Sequence, residues 1–228
     1  MIGWVLFLIA TSSLLVVYRQ LLRLRAENVR LQELATTDPL TGLENKRGFS
    51  KRMKAAVAHA LRKREPMTVL FIDLNDLRVH NNTRGHEFGD QVLVALASAM
   101  RASSWRVSDV LARTGGDEFA MVLPDTDVAG AVIVADRLIS GIETRYVQHG
   151  EELVPIGISV GGAILSTAGD CPPVEEVVLE NPDEHSHGLV ERATDLMLVR
   201  ADRNLYLAKA KKSPGISPII IGGPKDAH

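Results

Sequence analysis

The residues best suited to chemistry stand at 114–119, Thr-Gly-Gly-Asp-Glu-Phe. Two adjacent glycines give a backbone that a ligand can approach closely, because neither carries a Cβ. Asp117 and Glu118 follow at once, so carboxylates stand where such a ligand would lie. A third acid, Asp73, ends the apolar run "TVLFID" at 68–73. Carboxylates at the ends of neighbouring strands suit Mg²⁺, which prefers oxygen ligands and binds through one or two carboxylates plus substrate phosphates. Two such ions can clamp an in-line displacement at phosphorus. An acidic Gly-Gly hairpin with solvated carboxylates is the plainer alternative.

The elements that must position these groups follow from periodicity and punctuation. Residues 45–63 are expected to be helical, closed by Pro66, and 68–73 to be a buried strand. Helix and loop are expected over 74–90, and a second helix over 88–101 with Val92, Leu93, Leu96 and Ala97 on its apolar face. "DVLART" and "FAMVLP" are predicted as strands of a hairpin, with Gly115 and Gly116 at positive φ between them. Asp125–Thr126–Asp127 supply an N-cap for a helix running to Tyr146. A strand over 156–165 and a helix over 189–212 complete the domain. The order β-α-α-β-β-α-β-α points to an α+β, ferredoxin-like antiparallel sheet backed by helices. The stretch 169–187 is an irregular acidic insert, and 213–228, rich in Pro and Gly, is a loose tail.

Ahead of this domain, residues 2–18, "IGWVLFLIATSSLLVVY", carry no charge. A bilayer-spanning helix needs ~20 residues, ~17 at the short end. The run therefore predicts a transmembrane anchor over 1–18, with Trp4 and Tyr18 at the interfaces. A cleaved signal peptide would need a basic leading region, which is absent here. Arg19, Arg23 and Arg25 follow the run, so the remainder is expected in the cytosol, on a single-pass inner-membrane protein. Leu21, Leu24, Asn28, Leu31 and Ala35 share one stripe over 19–36, a short coiled-coil stalk whose Asn28 would favour a parallel dimer in fixed register. An amphipathic stalk packed on its own domain is the alternative. Pro39 ends the pattern, and the domain is expected over 37–212.

The formal net charge of −2 excludes a broadly basic surface of the kind that holds duplex nucleic acid. A single cysteine, Cys171, excludes an internal disulfide and fits a reducing compartment. His86 reads as structural, and His185 and His187 as polar residues of the insert.

"RTGGDEF" resembles the signature of the GGDEF domain, the diguanylate cyclases of bacteria. The resemblance extends to "DPLTGLENKRGF" (38–49), "FIDLNDLRVHNNTRGHEFGDQVL" (71–93), "ISVGGA" (158–163) and "ADRNLYLAKAKK" (201–212), covering about residues 36–212. It implies a palm-like fold and the condensation of two GTP into cyclic di-GMP with release of two pyrophosphates, by two domains meeting face to face. It also implies roles. Asp73 and Asp117, helped by the Leu74 carbonyl, would ligate two Mg²⁺, or Mn²⁺ in their place. Glu118 would assist at the metal or the attacking 3′-hydroxyl, and Gly115 and Gly116 would lie against the phosphates. Asn81 and Asp90 would read the guanine, and Lys209 would neutralise phosphate charge. Arg106 and Asp109, with Arg137 on the next helix, resemble the family's inhibitory site for product; solvated, silent surface residues are the alternative.

Three positions depart from the family pattern. Ser213 stands where an arginine usually helps hold phosphate, so weakened phosphate affinity rather than lost chemistry is expected. Asn75 and Asn82 replace acids common beside Asp73 and Asn81. Two further readings are a non-catalytic receptor for cyclic di-GMP or GTP, and a structural dimerisation module. Retention of Asp117 and Glu118 favours the enzyme over the first, and the trio Asp73, Asp117 and Glu118 is more than the second needs.

Overall fold

The computed structural model describes residues 14, 15, 17–25, 27, 35–166, 182–211 and 219–222, with 182–187 as backbone only. The chain divides into two units, Met1–Ala35 and Thr36–His228. In the first, the described residues between 14 and 27 are helical, and Leu14, Leu15, Val17, Tyr18, Leu21, Leu22 and Leu24 are all exposed. Among the described residues no helix is long and apolar enough to cross a membrane. Most of the expected anchor, and Asn28 and Leu31 of the expected stalk, lie outside the described residues.

The second unit is built around strand β2, Met67–Leu74. Its apolar run lets it bury both faces and pair on both edges. On one side lies β4, Glu118–Pro124, and on the other β7, Ile158–Leu165, both antiparallel to β2. Strand β3, Val110–Arg113, pairs antiparallel with β4. Two short strands close the edges in parallel: β1, Glu44–Asn45, beside β3, and β8, Ile219–Gly222, beside β7. The six-stranded sheet thus runs β1-β3-β4-β2-β7-β8 and is mixed, where an antiparallel sheet was expected. The inner four strands do obey that expectation. The edges do not, because each is delivered by a loop or helix crossover that returns the chain in the same direction.

Alternation along β2 sends Leu70 and Ile72 to one face and Val69 and Phe71 to the other. The first face packs on α3, His86–Ser103, and α4, Val128–Glu143, through Val92, Leu96, Met100, Leu138 and Ile142. The second packs on α1, Lys46–Lys63, and α5, Pro182–Ala210, through Phe49, Met53, Val57, Met197 and Ala201. The helix starts are set locally. The Asn45 carboxamide accepts from the Arg47 and Gly48 amides, and the Asp127 carboxylate from the Gly130 amide.

Four further expectations are corrected. Helix α4 ends at Glu143 rather than Tyr146, because Tyr146–His149 (β5) pairs with Glu152–Pro155 (β6) in a separate hairpin. Its turn rests on Gly150, at a φ of 59° that an L side chain rarely adopts. The helix expected after β2 is present as α2, Leu77–Arg84, but the loop expected to follow it shrinks to Gly85 at φ 86°, so α3 begins at His86 rather than 88. Helix α5 begins at Pro182, inside the expected insert. Ile219–Gly222, expected as part of a loose tail, is the edge strand β8.

Candidate active site

Asp73 is the penultimate residue of β2 and faces Glu118 directly across the β2–β4 ladder. Alternation places both on the α5 side of the sheet, the side that carries Phe71. There Lys209 Nζ meets Asp73 Oδ2 at 2.7 Å. The Asp73 side chain is 12% exposed against 42% for Lys209, so the lysine is the partner able to swing away. Burial pushes the Asp73 carboxyl above its ordinary range, the negative charges of Asp117 and Glu118 add to the rise, and Lys209 opposes it. This pocket of crowded carboxylates is short of positive charge.

The hairpin that brings Asp117 into the cluster is held from outside. The Leu74 amide donates to the Asp117 carbonyl at 3.0 Å, stitching the loop to the end of β2. Arg113 donates from Nε and one terminal nitrogen to the Gly116 carbonyl, at 3.2 and 2.7 Å, and reaches Asp38 Oδ2 at 3.4 Å with the other. Asp38 also accepts from the Thr41 amide and hydroxyl, at 2.8 and 2.6 Å. Although burial raises the Asp38 carboxyl, the Thr41 bonds and the Arg113 charge outweigh it and hold the group below its usual range. The turn at the start of the domain therefore braces the hairpin through one arginine.

The glycines differ from expectation. Neither Gly115 nor Gly116 lies in the left-handed region. The strands are joined by Thr114–Asp117, a longer connection than a two-residue turn, so positive φ is not required. Proximity is the reason for glycine at one of them. A Cβ on Gly115 would lie 2.5 Å from Glu118 Oε2, whereas one on Gly116 would meet nothing within 4 Å.

The donor set fits a hard divalent cation. Asp73, Asp117 and the Leu74 carbonyl offer only oxygen, and the raised Asp73 carboxyl marks a place where added positive charge is stabilising. Among the described residues no group of three or more His, Cys, Asp or Glu side chains is placed to hold a metal ion.

Asn81 on α2 and Asp90 on α3 flank the Gly85 turn. The Asn81 carboxamide lies so close to Gly89 that a Cβ there would be 1.9 Å from Oδ1. Glycine at 89 thus lets Asn81 approach the residue preceding Asp90. Asn75 serves the scaffold: its Oδ1 accepts from the Ser159 hydroxyl at 3.0 Å, joining the end of β2 to β7. Asn82 and His86 are exposed.

Arg106, Asp109 and Arg137 surround the loop 104–109. Arg106 Nη1 donates to the Asp125 carbonyl at 2.9 Å, and Asp109 Oδ2 accepts from the Ser104 hydroxyl at 2.9 Å. Arg137 donates to the Ser103 carbonyl at 2.8 Å and lies over the Trp105 ring, 3.6 Å from its centroid. Trp105 itself is 76% exposed, and Asp109 Oδ1 is buried with no hydrogen-bond partner. The exposed Trp105 ring, stacked by Arg137, offers a flat surface of the kind a planar ligand can lie on.

The structure therefore brings Asp73, Leu74, Gly115, Gly116, Asp117, Glu118 and Lys209 together, sets Asn81 by Asp90, and gathers the arginine–aspartate trio at a third place. Ser213, Lys212 and Cys171, and the side chains of His185 and His187, lie outside the described residues. Sequence reasoning missed Arg113, Asp38 and Trp105. An arginine two residues before the glycines was the available sign for the first; nothing in the spacing marked the others.

Comparison with known proteins bears on this geometry. The model of the family described as "Diguanylate cyclase, GGDEF domain" matches residues 35–177. The response regulator PleD of Caulobacter vibrioides is 37% identical over 155 residues, which are 67% of this chain and 33% of PleD. The solved GGDEF domain of TpbB (YfiN) from Pseudomonas aeruginosa superposes with a TM-score of 0.63 at 29% identity, covering 80% of this chain and 93% of that one. The GGDEF domain of DgcB from Caulobacter crescentus, solved in complex with c-di-GMP, gives 0.61 at 25% identity, covering 84% and 96%. The chain spans about a third of the length of the curated relatives it matches. The family match covers β2, β4 and the Thr114–Asp117 connection that leads from β3 into β4, and the chain belongs to the GGDEF-domain family.

Proposed function

We propose that this protein is a diguanylate cyclase, joining two GTP into cyclic di-GMP and releasing two pyrophosphates. The observation that carries the reading is the Asp73–Asp117–Glu118 cluster closed by Lys209 at the end of the central strand. Each domain holds one GTP. Asn81 and Asp90 take the guanine edge, and the Gly115–Gly116 backbone lies along the phosphates. Lys209, the more exposed partner of Asp73, is placed to leave it for phosphate oxygens. Asp73, Asp117 and the Leu74 carbonyl would hold two Mg²⁺, which would supply charge neutralisation at the reacting phosphate. Glu118 stands beside the 3′-hydroxyl that attacks the α-phosphorus of the partner's GTP, with pyrophosphate leaving in line. The barrier falls through positioning and charge neutralisation.

Two GTP on two domains require a dimer. The exposed apolar side chains of the first unit support its use as a stalk that raises the partner's effective concentration, beyond a membrane anchor over 1–18. The test is incubation of the full chain with GTP and Mg²⁺, followed by chromatography. Cyclic di-GMP and pyrophosphate in a one-to-two ratio are expected. GTP or cyclic di-GMP binding without turnover by a verified dimer would replace the cyclase with a receptor.

The unsatisfied Asp109 Oδ1 and the exposed Trp105 favour product binding at the third place, as a brake on the same reaction. Arg106→Ala should then keep its initial rate while the inhibition constant for added cyclic di-GMP rises roughly tenfold or more, the scale of one lost charge-assisted hydrogen bond. An unchanged inhibition constant would remove the brake from the reading.

A further inference from the structure

We propose that the β5–β6 hairpin is a positioning element for the base-reading helix α2, acting through the Arg84–Glu152 pair and the Phe88 ring. The inference rests on the reading of Asn81 as a guanine contact.

Helix α2 is eight residues long and buries none of them. Its first flank, Asp76, sits at φ 61°, and its last, Gly85, at φ 86°, with no side-chain cap at the start. Leu77, in the first turn, packs on the core, so it is the following turn, with Asn81, that needs another restraint if it is to be held in register. The restraint is visible one turn further on. His80 and Arg84, four residues apart and so on one face of α2, both lean on Phe88 of α3. The His80 ring lies 5.7 Å from the Phe88 ring, and the Arg84 guanidinium 5.5 Å from its centroid.

Phe88 is met from its other flank by the hairpin: His149 of β5 packs edge-on at 5.3 Å and 80°. Arg84 then continues to β6. Its Nη2 donates to Glu152 Oε1 at 2.8 Å and its Nε to Oε2 at 3.3 Å, a fork on a carboxylate. The Arg84 side chain is 20% exposed and Glu152 55%. An ion pair this open adds little to folding stability. Its geometry restricts where α2 can sit, which is a different effect. Hydrogen bonds to a base edge weaken steeply with misalignment, so a small drift of α2 is felt at Asn81 and hardly anywhere else.

The test uses the full chain with Mg²⁺ and two probes, α,β-methylene GTP, whose α–β link does not break, and α,β-methylene ATP. Dissociation constants are measured by calorimetry for wild type, Glu152→Gln, Arg84→Gln, the charge swap Arg84→Glu with Glu152→Arg, and Asn81→Ala as reference. Glu152→Gln and Arg84→Gln should weaken the guanine probe roughly three- to tenfold, the scale of one misaligned hydrogen bond. The adenine probe and the melting temperature should stay unchanged, and the swap should recover most of the lost affinity. Guanine affinity unmoved by Glu152→Gln while Asn81→Ala lowers it would overturn the hairpin's role and leave the base reading standing. Equal weakening of both probes would also overturn it, as a general structural loss. If Asn81→Ala leaves guanine preference intact, the base reading fails and the inference falls with it.

Discussion

Asp117→Ala is expected to lower cyclic di-GMP formation by the full chain at least a hundred- to a thousandfold, the scale on which removal of one electrostatic stabiliser slows a reaction. The argument begins with repulsion. Asp117 and Glu118 both push the buried Asp73 carboxyl upward, so the three acids are mutually unfavourable before any ligand arrives. Among the described residues, Lys209 is the cation that offsets them at Asp73. Residues kept in such an arrangement act on what they bind rather than on the fold. The variant should therefore melt at the same temperature as the wild type or slightly above it, while losing turnover. Undiminished turnover would remove Asp117 from the chemistry, and a variant that melts well below wild type would recast it as a structural residue.

The largest effect on stability is expected from Gly161→Val. On β7, Gly161 faces Phe71 across the ladder and so looks toward α5. A Cβ there would lie 2.0 Å from the Leu205 amide nitrogen, 2.3 Å from its Cα and 2.6 Å from the Asn204 carbonyl carbon. All three are backbone atoms of α5, so no side chain can rotate out of the way. The helix must retreat, and the bond from the Asn204 carboxamide to the Gly162 carbonyl, 2.8 Å, goes with it. Overpacking of this kind destabilises by about 1–3 kcal/mol and at times more, and a valine on rigid backbone belongs at the upper end. Urea denaturation measures the loss. Lys209 stands one turn beyond Leu205, so turnover should fall as well. Gly116→Ala is the contrast: with nothing within 4 Å of its Cβ, stability should change by no more than about 0.5 kcal/mol. A Gly161→Val protein as stable as wild type would mean that the close approach of α5 is not needed.

The parts of this architecture that were legible from sequence share a cause: their information is local. The run 68–73 is apolar at every position up to its closing acid, except Thr68, and it became the central strand. Asn45 and Asp127 mark helix starts because their side chains bond amides two or three residues ahead. The acids of the site could be seen because they stand at the ends of such elements. What was not legible depends on partners distant in the chain. Glu44–Asn45 and Ile219–Gly222 are strands only because β3 and β7 offer them edges. The helix expected to run to Tyr146 stops at Glu143 because Tyr146–His149 finds a strand partner in Glu152–Pro155 across Gly150. The reason for glycine at 161 lies on a helix more than forty residues later. Arg113 likewise shows its purpose only once Asp38 and the Gly116 carbonyl are seen on either side of it.

The position of β2 has a consequence for the order of events in time. This strand pairs with β4 and β7, which follow it only after long intervening segments, and its final acid is matched by a lysine on α5. Such non-local pairing slows folding, since loop closure must precede the contacts that reward it. During synthesis Asp73 leaves the ribosome long before Lys209 exists, so pairing of β2 with β4 can set Asp73 opposite Glu118 before their counter-charge arrives. The cluster is therefore completed last by its positive charge: a nascent chain carries the three acids before it carries the lysine that offsets them.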